Sequence, residues 1–179
     1  MKSLTEKIKG LRKDIKDWGA VDFMPDGVTP VLTHLVERWF PGRTDLRILE
    51  IGTCRCVGAS ILAQHGTVYT VDVNVYDGRQ SVLETFDTKT RVVQVVGPPA
   101  LARALLQNMT FDLAFIDAEH KFAPVMDDFA FVMPLTRRVI WHDYQPSFPG
   151  VVEACDKIKE AVGGDWYYVK KFAAWDGTK

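Results

Sequence analysis

Five positions along the chain carry residues able to do chemistry, and each ends an apolar run. They are Gly52-Thr53, Asp72-Val73, Gly97, Asp117 and His142-Asp143. His120 follows Asp117 by three residues. In an open α/β sheet, ligands bind outside the carboxyl ends of the strands. Carboxylates, imidazoles and an open glycine turn would therefore meet in one crevice. Asp72 lies twenty residues after Gly52, where a carboxylate can accept hydrogen bonds from both ribose hydroxyls of a nucleoside. An imidazole such as His120 or His142 titrates near neutral pH and can serve as a general base. Asp117, His142 and Asp143 can instead hold a divalent cation. Each residue also has a structural use. His120 can cap the following helix, Asp117 can hold the loop after Gly52, and His142 can bond to backbone.

The loop after the first strand narrows the ligand. Strand, tight turn and helix follow one another through Arg47-Ile-Leu-Glu-Ile-Gly-Thr-Cys-Arg-Cys-Val-Gly-Ala-Ser60. Such a turn directs backbone N–H groups and a helix N-terminus at a nucleotide. A dinucleotide needs G-x-G-x-x-G, so that backbone can touch the pyrophosphate. Cys54 and Val57 hold the second and third of those places. An NAD-type oxidoreductase is thus disfavoured, and a ribose-and-adenine ligand without phosphate fits better. Cys54 and Cys56 are expected to crowd the far end of that ligand.

The elements that position these residues are legible from periodicity. Residues 3–18 carry Leu4, Ile8, Leu11, Ile15 and Trp18 as one apolar stripe, an amphipathic helix. A second helix is expected from Thr29 as N-cap and Pro30 in the first turn, ending at Pro41-Gly42. These two helices form an N-terminal appendage over 1–42, able to cover a substrate cleft or to build a homodimer interface. His34 and His65 fall on helices away from the crevice. From Leu46 the pattern alternates. Strands are expected at 46–51, 67–72, 91–96, 111–117 and 137–142, and helices at 57–65, 79–86, 98–108, 119–133 and 149–162. Such alternation implies a doubly wound, mostly parallel sheet with helices on both faces. The runs Asp165–Lys170 and Phe172–Trp175 nearly touch, so only a hairpin can join them, and one strand must run antiparallel.

Composition sets outer bounds. The 179 residues suit a single domain, and 47% hydrophobic with 25% charged residues is ordinary for a globular protein. A formal net charge of −1 gives no bulk attraction to nucleic acid or to an anionic membrane. Three cysteines do not make a disulfide framework, and no run reaches membrane-spanning length. The expectation is a cytoplasmic protein with reduced thiols.

Three segments resemble a known family. They are Leu49-Glu-Ile-Gly-Thr-Cys-Arg-Cys-Val-Gly-Ala-Ser60, Phe111-Asp-Leu-Ala-Phe-Ile-Asp-Ala-Glu-His120 and Val139-Ile-Trp-His-Asp-Tyr144. Together they resemble class I S-adenosylmethionine-dependent methyltransferases of the small O-methyltransferase-like group, methyltransferase domain family 24 type. The resemblance implies a Rossmann-like, seven-stranded core over 46–176 with an antiparallel C-terminal hairpin. It implies S-adenosylmethionine as cofactor. Glu50 and Gly52 would then shape the methionine end, Thr53 would also contact the cofactor, Asp72 would hold the ribose, Val73 and Gly97 would lie against adenine, and Asp117 would face the reacting sulfonium or a metal. The acceptor would be a small-molecule or sugar hydroxyl. Two mechanisms fit: His120 or His142 as general base, or Mg²⁺ held by Asp117 and Asp143 with His142 beside them. A non-catalytic module that keeps the fold and the ligand is the alternative.

Overall fold

The computed structural model describes residues 28–178. The amphipathic segment expected over 3–18 lies outside them. In chain order the elements are α1 Val28–Trp39, β1 Leu46–Ile51, α2 Val57–Leu62, β2 Gly66–Asp72, α3 Arg79–Phe86, β3 Val92–Val96, α4 Pro99–Leu106, β4 Leu113–Ile116, α5 Phe122–Val132, β5 Arg138–Trp141, α6 Pro149–Val162, β6 Asp165–Val169 and β7 Phe172–Asp176. A 3₁₀ turn, Lys89–Arg91, leads into β3.

The described residues form one seven-stranded sheet in the order β3-β2-β1-β4-β5-β7-β6. β1 to β5 run parallel, and β7 is antiparallel to both β5 and β6. The chain reverses direction across the sheet between β1 and β4, the switch point where a crevice must open. One face buries α1, α2 and α3 around Leu32, Leu35, Ile61 and Phe86. The other buries α4, α5 and α6 around Leu106, Phe129, Ile158 and Trp175. β4 is buried at every position, as a central parallel strand must be. No helix among the described residues is long and apolar enough to cross a membrane.

The elements expected from Thr29 onward are all present; β1, α3 and α6 keep their expected ends and the others are shifted. α1 spans Val28–Trp39, so Thr29 is already helical instead of the N-cap, while Pro30 lies within the helix as expected. α2 stops at Leu62, because Gln64 and His65 donate to Ile61 and Leu62 in tighter i→i−3 bonds. His65 therefore lies in a turn, buried, with Nδ1 3.3 Å from Glu37. β4 begins at Leu113, because Phe111 N–H is taken by Leu135 and Asp112 N–H by Arg47. α5 begins at Phe122, leaving 117–121 as a loop that carries His120.

Candidate functional site

Backbone bonds one residue past the strands line up the site. Gly97 N donates to Asp72 O, Gly52 N to Val71 O, Asp117 N to Ile51 O and His142 N to Ile116 O, at 2.8 to 3.1 Å. The five positions read from the sequence thus stand side by side along the carboxyl ends of β3, β2, β1, β4 and β5. Gly52 sits at the switch point with φ +99°, and a Cβ there would lie 2.1 Å from Asp117 O. Only glycine fits.

On the β1–β2 side, Glu50 is fully buried. Thr70 Oγ1 donates to its Oε2, and Thr53 Oγ1 lies 2.6 Å from Thr70 Oγ1. Glu50 Oε1 has no partner among the described residues. Burial outweighs the Thr70 bond and pushes the Glu50 pKa up to about 8. A small cavity of about 30 Å³ lies there, walled by Glu50, Gly52, Thr53, Cys54, Gly58 and Asp117. Cys54 and Cys56 take left-handed backbone, φ 40° and 66°, the conformation glycine would supply in this turn. Cys54 lines the cavity, but Cys56 turns away into the core beneath α2. Of the two cysteines expected to crowd a ligand, only Cys54 lines this cavity. Burial pushes both thiols up, to about 11 for Cys54 and about 12 for Cys56, so neither is a thiolate at neutral pH.

Asp72 is held in place. Its Oδ2 accepts from Cys54 N (2.8 Å) and from Arg79 Nη2 (3.1 Å), and its Oδ1 accepts from Asn74 N (2.9 Å). Arg79 also donates to the carbonyls of Cys54 and Asn74. Sequence reasoning missed this arginine. Its signal was spacing, since Arg79 shares a stripe of α3 with buried Val82, Leu83 and Phe86. A carboxylate has about four acceptor directions, so Asp72 retains capacity for a hydroxyl. Beside it opens a cleft of about 300 Å³, with Asp72, Val73, Gly97, Ala102, Ala118 and Phe131 in its walls.

On the β4–β5 side the polar groups bind one another. His142 Nδ1 donates to Asp117 Oδ1 (3.1 Å) and lies 3.2 Å from Asp143 Oδ2. His120 Nε2 lies 2.9 Å from the same Asp143 oxygen, and its ring stacks on Phe148 at 4.3 Å. Asp143 reaches both histidines because its backbone is left-handed, φ 58°, a conformation Asp tolerates. Gly150 lets α6 close on this loop, since a Cβ there would lie 2.5 Å from His120 O. Burial opposes charge on His142, but its bonds to Asp117 and Asp143 prevail and push its pKa up to about 9. The Asp143 bond, against a smaller burial effect, raises His120. Burial alone would raise Asp143, yet the two imidazoles hold it well below the usual carboxylate range.

The two histidines differ in access. The His120 side chain is 40% exposed and that of His142 is 8% exposed. Nε2 of His142 is buried without a partner among the described residues. The ligand atoms that lie within 4.8 Å of one another belong to Asp117, His120 and Asp143, so His120 takes the place expected of His142 in that group. Trp141 is fully buried against Phe129 and Trp166, which makes it sheet packing. Tyr144 donates to Asp156 on α6.

Comparison with known proteins agrees with this geometry. A search of curated protein sequences finds no significant match. Among solved structures, an O-methyltransferase from Bacillus cereus in complex with SAH superposes with a TM-score of 0.73 at 18% identity, covering 98% of this chain and 92% of that one. Cofactor-bound Rv0187 from MTB gives a TM-score of 0.76 at 18% identity, covering 98% and 89%. CalS11, a TDP-rhamnose 3'-O-methyltransferase, gives 0.65 at 14% identity, covering 98% and 93%. At such identities the likeness is one of fold, the Rossmann-like methyltransferase fold. A family model described as a methyltransferase domain matches residues 49–144, from the middle of β1 to just past the His142-Asp143 pair. The match takes in more than half of the chain and all five strand-end positions assembled above, and the chain belongs to this methyltransferase-domain family.

Proposed function

We propose that the protein is an S-adenosylmethionine-dependent methyltransferase acting on a hydroxyl of a small molecule or a sugar. The observation that carries this reading is the juxtaposition at Asp117. That residue lines both the small cavity below Glu50 and the second, smaller hollow that His120 and His142 also line. The unpartnered Oε1 of Glu50 suits an ammonium, such as that of the cofactor's methionine end. Gly52 leaves room for the chain that follows, Asp72 faces the ribose, and Val73 and Gly97 wall the base. The bound cofactor supplies an electrophilic methyl group. The protein's task is then to align a hydroxyl with it and to remove the proton.

His120 suits the second task. Asp143 accepts from its Nε2, which leaves Nδ1 able to take a proton. His142 does not suit it, because it is held as a cation between two carboxylates. Its charge steadies Asp117 and Asp143 instead. The O-methyltransferases from Bacillus cereus and of TDP-rhamnose share this fold, which supports hydroxyls as acceptors.

A second reading rests on the clustered ligand atoms of Asp117, His120 and Asp143. A divalent cation held there would lower the pKa of a substrate hydroxyl. Two carboxylates and one imidazole suit Mn²⁺, Fe²⁺ or Zn²⁺ better than Mg²⁺.

Calorimetric titration with S-adenosylmethionine tests the core of the proposal. Saturable binding by wild type, weakened in Asp72→Ala, is the expected outcome, and absence of binding overturns it. Turnover on a panel of phenols and nucleotide sugars, with and without EDTA, separates the two readings. Activity that survives chelation identifies His120 as the sole activator, whereas activity restored only by added Mn²⁺ or Mg²⁺ supports the metal.

A further inference from the structure

The cleft between α4 and α5 carries one half-buried carboxyl that accepts no hydrogen bond from the described residues. Its wall on the α4 side is formed by Gly97, Pro99 and Ala102. Pro98 and Pro99 lack an N–H, so the turn after β3 offers a bound base neither backbone donors there nor any polar side chain. The other polar residues of the cleft are engaged or exposed. Asp72 is tied to Arg79, and Arg103 donates to Asp127 O while stacking over Phe131.

Asp128 is the exception. On α5 it falls three residues after Val125, one before Phe129 and four before Val132, so it shares the buried stripe of the helix. It lines the same cleft as Val73, Gly97 and Ala118. Burial and the nearby Asp127 and Glu119 push its pKa up to about 6 against the pull of Arg103, and no hydrogen bond from the described residues reaches it. A partly buried carboxyl without a partner is costly. A ligand that presents an amino group next to a ring acceptor removes that cost. Adenine does so with its N6 amino group and N1, and an acid is a natural acceptor for an exocyclic amine.

We infer that Asp128 reads the N6-amino edge of the cofactor's adenine from α5, in place of a polar residue in the turn after β3. This rests on the reading of the protein as S-adenosylmethionine-dependent. It assigns Asp128 to specificity of binding, with no part in methyl transfer.

The test compares two ligands by calorimetry: S-adenosylhomocysteine, and S-inosylhomocysteine, in which oxygen replaces the N6 amino group. Wild type is expected to prefer the adenosyl compound by about tenfold or more. Asp128→Ala should lose that preference by weakening the adenosyl compound and leaving the inosyl compound unchanged. Asp128→Asn is nearly isosteric and can accept from N6 or donate to O6. It should bind both alike, and it decides the matter if the alanine variant is unstable. A wild-type preference that persists in both variants overturns the role of Asp128 alone. If wild type binds neither compound, the cofactor assignment and this inference fall together.

Discussion

The crevice has two halves, and they are built on opposite principles. The half over β1, β2 and β3 is incomplete by itself. Among the described residues Glu50 Oε1 lacks a partner, Asp128 lacks a hydrogen bond, and the cleft walls are mostly apolar. The half over β4 and β5 is closed on itself. Asp117, His142, Asp143 and His120 form an unbroken chain of contacts of 2.9 to 3.2 Å. Unsatisfied buried groups favour a ligand that completes them, so the first half is suited to binding. Mutually paired ionisable groups set one another's protonation, so the second half is suited to moving a proton. Substitutions in the two halves should therefore register in different measurements.

The largest effect should come from His120→Ala. Turnover should fall about 10²–10⁴-fold, as for loss of a general base, with cofactor affinity within about twofold of wild type. Unchanged turnover would remove the division of labour between the halves.

Glu50→Gln comes next. It keeps the Thr70 bond but cannot become an anion, so cofactor affinity should drop about 30-fold or more by calorimetry. The same variant should show a stability effect of known sign. The folded pKa of Glu50, about 8, is raised above its unfolded value. Its contribution is therefore full below about pH 4.5 and is lost as pH rises through 8. Wild type should lose thermal stability across that window, and the glutamine variant should lose less. Equal slopes for the two proteins would contradict the burial argument.

His142→Phe should cost about 1–3 kcal/mol at pH 6 in urea unfolding, because Asp117 and Asp143 lose their shared cation. The His142 pKa is raised to about 9, so its contribution is full below about pH 6.5 and fades as pH passes through 9. The difference between variant and wild type should shrink accordingly. A difference that grows with pH would show that His142 is neutral.

Thr53→Val should have the smallest effect. It removes only the bond to Thr70, worth about 1 kcal/mol, and should weaken cofactor binding a few-fold without touching turnover.

Much of this arrangement is legible in the amino-acid sequence. Strand–helix alternation implies the doubly wound class, and the strand ends must carry the site, so the places of Gly52, Asp72, Gly97, Asp117 and His142 in the pattern single them out. Direction is what the pattern does not convey. His120 and His142 are one residue type near one crevice, and only the folded chain shows that the first is exposed and the second buried. Cys54 and Cys56 look equivalent in the chain, yet one faces the cavity and the other the core. Arg79 and Asp128 escape a reading confined to strand ends, although both stand at helical spacing among core residues. A charge on an apolar stripe is a usable signal: Asp128 lines the cleft, and Arg79 holds Asp72, which lines it too.

The order of the last three strands bears on how the molecule comes into being. β7 lies between β5 and β6 in space but follows both in the chain, and all of its residues are buried. While the polypeptide is being synthesised, β5 and β6 remain two unpaired edges until Phe172–Asp176 has emerged. Unpaired edges recruit other chains. Much of the nascent protein thus waits on this late strand, and a variant that slows its insertion should fail in yield from cells before it fails in the stability of what has folded.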